Sequence, residues 1–238
     1  MNALLKAELL KLRTTRTFAV VVGVSALFSM LLAVLGATVE KNITAHELFT
    51  NNSITYVIVL LGAIGMTGEW RHRTITSTIL ASPDRVRLLS AKVVASAAAG
   101  VVLVFLVTVV TMIAGTIALK ASGHATLGVG GLADVMWRNL VVAAVLGPLG
   151  VAIGALGRNQ IVTVVGLIAV ASFLEPQLFA ASPAVGRFGP LSEAPTSVLG
   201  GSATDGMLAA GPALAVMIAW AAAAFGVAAV RLRNRDLV

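Results

Sequence analysis

The chain has no cysteine among its 238 residues, so neither a disulfide framework nor a thiolate metal or redox site is available to it. Charge is scarce as well: 11% of residues are charged against 58% hydrophobic, and mean hydropathy is +0.97. A soluble core of this length needs far less apolar material. No lysine follows a glycine, so the Gly-x-x-x-x-Gly-Lys-Ser/Thr phosphate loop does not occur. The three histidines, His46, His72 and His124, lie far apart, which leaves no metal cluster to expect. Acidic side chains are missing from the apolar interiors too, because Glu69 and Glu175 fall at the ends of apolar runs. Proton- and ion-coupled carriers usually place such groups at membrane depth. Nor is a nucleophile with its base, or a pair of acids, visible there, so no catalytic residue is assigned.

What is present is a set of six apolar stretches, at 17–39, 53–68, 93–119, 139–156, 161–174 and 207–230. About 20 residues cross a bilayer core. The first, third and sixth reach that length; the second, fourth and fifth are short and are expected to tilt, recruit flanking residues or sit in a shielded place. The first run follows a basic amphipathic segment and lacks a small-residue cleavage site, so it reads as a retained helix rather than a leader. The fold class expected is therefore all-α: one polytopic membrane domain over 1–238, with six transmembrane helices.

The positive charges segregate. With an even number of crossings both termini share a side, and thirteen of the 17 Lys and Arg residues fall on it: Lys6, Lys11, Arg13, Arg16, Arg71, Arg73, Arg85, Arg87, Lys92, Arg158, Arg231, Arg233 and Arg235. Lys41, Lys120, Arg138 and Arg187 fall opposite. The positive-inside rule then places both termini in the cytoplasm and the chain in the cell membrane. The net charge of +7 and pI near 10.8 are accounted for by anchoring at the lipid surface, so no nucleic-acid partner is expected.

Residues 1–16 place Leu5, Leu9 and Leu12 on one helical face and Lys6, Lys11 and Arg13 largely elsewhere, the pattern of an interfacial amphipathic helix. Segment 69–92 is too long for a turn and too polar to span. In it Ile75, Ile79 and Leu80 recur at helical spacing after a cluster of cations. Ser82-Pro83-Asp84 then resembles an N-cap, a first-turn proline and an acidic residue at the dipole's positive end. A second helix bearing Arg85, Arg87 and Lys92 should continue unbroken into the third span, so a push on this segment would reach the membrane. Segment 175–206 holds Pro176, Pro183, Pro190 and Pro195 and is expected to be broken helices, packed rather than loose because of Phe179, Phe188 and Leu191. Gly62, Gly65, Gly150 and Gly154 permit close helix approach and are candidate positions for an interface with a second copy, whereas Gly147-Pro148 marks a kink. Trp70 and Trp137 read as interface anchors.

This order of elements resembles the permease subunits of ATP-binding-cassette transporters of the ABC-2 type. That family has a cytoplasmic elbow helix, six spans and a first intracellular loop that begins with a glutamate. The loop then passes through a Thr-hydrophobic-rich helix and reaches a proline and basic residues. Here those positions are Glu69, Arg73, Thr74, Ile75, Ile79, Leu80, Pro83, Arg87 and Lys92. The resemblance implies that 69–92 is the coupling segment that sits against a cytoplasmic ABC ATPase dimer, and that Gly157-Arg158-Asn159-Gln160 is a smaller second contact. ATP and Mg would then belong to that partner, with no cofactor in this chain. It also implies a second permease copy or paralogue, and export of an amphipathic or apolar substrate such as a drug, peptide antibiotic or lipid. The rival reading is a membrane sensor or scaffold that recruits a cytoplasmic protein through the same loop and transports nothing.

Overall fold

The structure is a computed structural model and describes residues 2–14, 16–40, 43–50, 54–72, 74, 84–157, 159–200 and 206–234. Its described residues are helical, with no strand among them. The helices are α1 (Asn2–Thr14), α2 (Arg16–Val39), α3 (Ala45–Thr50), α4 (Ile54–Arg71), α5 (Arg85–Ala121) and α6 (Val129–Leu156). They continue with α7 (Gln160–Ala169), a π-helical stretch Val170–Leu174, α8 (Glu175–Ala181), α9 (Pro183–Gly186), α10 (Glu193–Leu199) and α11 (Ala210–Asn234). Six stretches are long and apolar enough to cross a membrane. This is an all-α, multi-pass membrane protein.

Burial sorts the spans into interior and rim. The windows of the second and fourth stretches are 60% and 61% buried, whereas those of the first, fifth and sixth are 17% buried each. So α4 and α6 form the centre, α5 packs along α6, and α2, α7 and α11 present Leu27, Phe28, Ile161, Trp220 and similar residues outward. Hydrocarbon tolerates such faces because each helix satisfies its own backbone polar groups.

Two of the three spans expected to be short are not. Helix α6 starts ten residues earlier than the apolar run, at Val129, and is 28 residues long. The fifth span continues from Gln160 through the π turn to Ala181, 22 residues. That extension puts Glu175 inside the helical stretch rather than at its end, which corrects the expectation of carboxylate-free spans. The second span, α4, is 18 residues and lies in the shielded centre.

The glycines explain how α4 and α6 approach so closely. A Cβ on Gly62 would collide with the Gly147 carbonyl and one on Gly150 with the Val59 carbonyl. One on Gly154 would lie 2.7 Å from the Ala63 oxygen, and one on Gly147 2.8 Å from the Ser96 oxygen of α5. These glycines thus serve packing within the chain, not the interface with a second copy for which they were candidates. Gly65 takes no part, having nothing within 4 Å of its Cβ position.

Both ends of the chain meet on one face, where Leu4, Trp70, Leu88, Leu89, Phe225 and Leu232 form a cluster. Arg85 Nη1 also donates to the Leu232 carbonyl at 2.8 Å there. Helix α5, at 37 residues, starts on this face. At 1.5 Å per residue it runs about 56 Å, against a hydrocarbon core of about 30 Å, so it projects well beyond the bilayer. Its N-cap is Asp84, whose carboxylate accepts from the Arg87 backbone N–H at 3.1 Å. The cap thus falls two residues later than the Ser82-Pro83-Asp84 pattern indicated, and the expected continuity of this helix into the third span holds.

On the opposite face, the proline-rich segment is broken into α8, α9 and α10, with Leu191, Ala194, Val198 and Leu199 buried in the main core. Glu175 anchors it. Its carboxylate accepts from the backbone N–H of Leu191 at 3.0 Å and of Ser192 at 2.7 Å, and from the Ser192 hydroxyl at 2.9 Å. Those donors satisfy a carboxylate that would otherwise be costly to bury. Trp220 Nε1 adds a bond to the Phe188 carbonyl at 3.1 Å.

Candidate functional site

On the face that carries both termini, three helices converge on four charges. Glu8 comes from α1, Glu69 from the last turn of α4 and Lys92 from the second turn of α5. Lys11 lies one turn beyond Glu8. Lys92 Nζ donates to Glu69 Oε1 at 2.5 Å and to both oxygens of Glu8 at 3.2 Å. Lys11 Nζ donates to Glu8 Oε1 and Glu69 Oε1, each at 3.1 Å. Two carboxylates and two ammonium groups cancel, which allows the group to sit where it does.

The four do not contribute alike. The Lys92 side chain is 6% exposed, so its charge depends on the two carboxylates around it. The Lys11 side chain is 51% exposed and its ion pairs are screened by water. Burial of the Lys11 ammonium pushes its pKa down, but the Glu69 and Glu8 carboxylates outweigh that and hold it above the ordinary 10.5.

Glu69 also fixes the start of the connection that follows α4. Its backbone carbonyl accepts from the Thr74 N–H at 3.0 Å. Thus one residue ties α4 to α1 and α5 through its side chain and to Thr74 through its main chain. Of the positions singled out in the sequence, Glu69, Thr74 and Lys92 come together here, while Arg87 is exposed near the start of α5. Arg73, Ile75, Ile79, Leu80 and Pro83 lie outside the described residues.

Sequence reasoning missed Glu8 and the ionic role of Lys11. Glu8 is the sole acidic residue in the first 39 positions, set in a basic helix three residues before a lysine, and that isolation was the available signal.

The same four residues rim a cleft of about 650 Å³ between α1, α2, α4 and α5. Its body is lined by Phe18, Leu61, Ile64, Gly65, Met66 and Ala99, with His72 and Thr74 at the mouth. The neighbouring joint between the fourth and fifth spans is tight. Gly157 caps α6, and Asn159 Oδ1 accepts from the N–H groups of Ile161 and Val162 at 2.9 and 3.3 Å. Arg71 Nη1 reaches Gln160 Oε1 at 3.3 Å, linking the end of α4 to the start of α7.

An N-terminal helix followed by six stretches long and apolar enough to cross a membrane is the order of elements expected, and the family model described as ABC-2 family transporter protein matches residues 4–175. The chain belongs to the ABC-2 transporter family. No curated protein matches it. The family match runs from the first turn of α1 to the first residue of α8, so it takes in all four charged residues and the glycine packing of α4 on α6. This ABC-2 protein is the membrane component of a transporter, and α1, the end of α4 and the start of α5 are where its geometry gathers charge.

Proposed function

We propose that the chain is the permease subunit of an ATP-driven exporter, with the ATPase in a separate cytoplasmic subunit that docks as a dimer on segment 69–92. The observation that carries this reading is the ionic joint of Glu8, Lys11, Glu69 and Lys92. It binds both flanks of that segment to one another and to the elbow helix. ATP binding and hydrolysis, with Mg, occur in the partner. In this chain the work is mechanical. Movement of the segment displaces the end of α4 and the projecting start of α5 together, because Lys92 holds Glu69. Helix α6 follows α4, because their backbones meet through Gly62, Gly150 and Gly154 and leave no slack. The elbow α1 is carried by Glu8.

Both termini and the coupling segment are cytoplasmic in this reading, in accord with the bias of Lys and Arg, and the location is the cell membrane. A second copy or a paralogue completes the pathway, and the substrate is amphipathic or apolar, in keeping with the apolar cleft. The test is mild-detergent purification of the tagged chain from its host, with identification of co-purifying proteins and an ATPase assay. A stoichiometric Walker A protein, lost in the Ile75→Asp, Ile79→Asp variant while the permease stays folded, is the expected result. A well-folded permease with no such partner would favour the sensor or scaffold instead.

A further inference from the structure

The cleft beside the ionic joint has a composition that neither helix packing nor ATPase docking requires. Its mouth is charged and its body apolar, the division found in an amphiphile. Two of its lining glycines, Gly65 and Gly68, have nothing within 4 Å of their Cβ positions, so this stretch of α4 forms an open floor. Elsewhere on α4 the corresponding glycine, Gly62, is packed against backbone. From Glu69 down to Leu61 the floor descends about 12 Å at 1.5 Å per residue. The mouth lies beside α1, a helix whose Leu9 and Leu10 are exposed while Lys11 stands near them, the arrangement of a helix lying at headgroup depth.

The mouth also holds an unmet demand. Glu69 Oε1 takes both lysines, but Glu69 Oε2 is buried and has no hydrogen-bond partner among the described residues. A buried carboxylate oxygen calls for a donor. The half-exposed Lys11 ammonium next to it offers positive charge to an anion.

We propose that this cleft binds a membrane phospholipid whose headgroup carries a primary amine. The ammonium N–H donates to Glu69 Oε2, the phosphate lies by Lys11, and one acyl chain runs down the floor over Gly68 and Gly65 between Phe18 and Met66. Lipid bound there sits within the joint of α1, α4 and α5. The site shares Glu69 and Lys92 with the flanks of the proposed docking segment, but lipid retention is read without any ATPase, so a failed lipid test leaves the transport reading standing.

The experiment uses the full chain reconstituted in nanodiscs of equimolar phosphatidylethanolamine and phosphatidylcholine, with native mass spectrometry of the lipid retained after release. The quaternary choline head has no N–H to give, so an enrichment of the ethanolamine lipid of about tenfold or more is expected, the low end of what one charge-assisted hydrogen bond supplies. Glu69→Gln should reduce that preference toward equality. Gly65→Leu should lower retention of both lipids, because its Cβ enters open space and its side chain then occupies the floor, and Gly68→Val gives the same readout should Gly65→Leu fail to fold. Equal retention of the two lipids by the wild type, or undiminished retention by the folded floor variants, overturns the proposal.

Discussion

Lys92 Nζ lies 2.5 Å from Glu69 Oε1, a contact between residues 23 apart in sequence that joins the end of one membrane helix to the start of the next. Every other charged contact at this joint is arranged around that pair. Replacing Lys92 by Met takes from the two carboxylates their buried cation, 6% exposed in the wild type, and leaves them the half-exposed Lys11, at a cost of about 3 kcal/mol. Lys11→Met, at a half-exposed position, should cost less than about 1 kcal/mol. Unfolding midpoints in a detergent titration compare the two, and equal losses would mean that the joint is not organised around Lys92.

The cap of α5 gives a local prediction. Asp84→Ala removes the acceptor for the Arg87 N–H and should destabilise by about 1 kcal/mol, whereas Asp84→Asn keeps an oxygen there and should be near neutral. Thermal melts of the two variants in one detergent decide it.

Glycine spacing makes a paired prediction. Gly150→Ala sets a methyl against the Val59 backbone, which cannot step aside, and should destabilise by about 1–3 kcal/mol. Gly65→Ala meets open space and should leave the melting temperature unchanged within about 1 °C for a ΔΔG near zero. A reversed order of the two would place the tight α4–α6 contact elsewhere.

On the opposite face, Glu193 predicts a pH dependence. Burial raises its pKa above the ordinary 4.5, against the lowering effect of the Ser192 hydroxyl. A carboxyl with a raised folded-state pKa binds protons more readily folded than unfolded, so its contribution is present below 4.5 and fades as pH rises through the raised value. Relative to Glu193→Gln, the wild type should lose stability across that window and run parallel above it. Melting temperatures of both proteins from pH 4 to about 8 test the sign, and a wild type that gains on Gln with rising pH would reverse it.

The periodicity made the six apolar helices, the N-terminal helix α1 and the unbroken run of α5 from Arg85 into the third span legible in advance, because each depends on local composition. Span length was less legible. Helix α6 extends to Val129 through residues such as Asp134 and Arg138, which pair with each other at 2.7 Å, so polar side chains did not end the helix. Glu175 looked like a boundary because a carboxylate in hydrocarbon is costly. Its donors come from Leu191 and Ser192, a tertiary contact that no local pattern displays. The candidate site was half visible for the same reason. Glu69 and Lys92 flank one segment, but Glu8 acquires its meaning from Lys92, 84 residues away.

The absence of cysteine makes the decisive measurement direct, since a single Ile75→Cys substitution is then the one thiol in the chain. In host membranes, a short bifunctional crosslinker at that thiol should capture a soluble protein bearing a Walker A motif, with a yield that changes when ATP is added. Capture of proteins that all lack a nucleotide site, or the same yield from an exposed control such as Lys120→Cys, would contradict coupling through this segment.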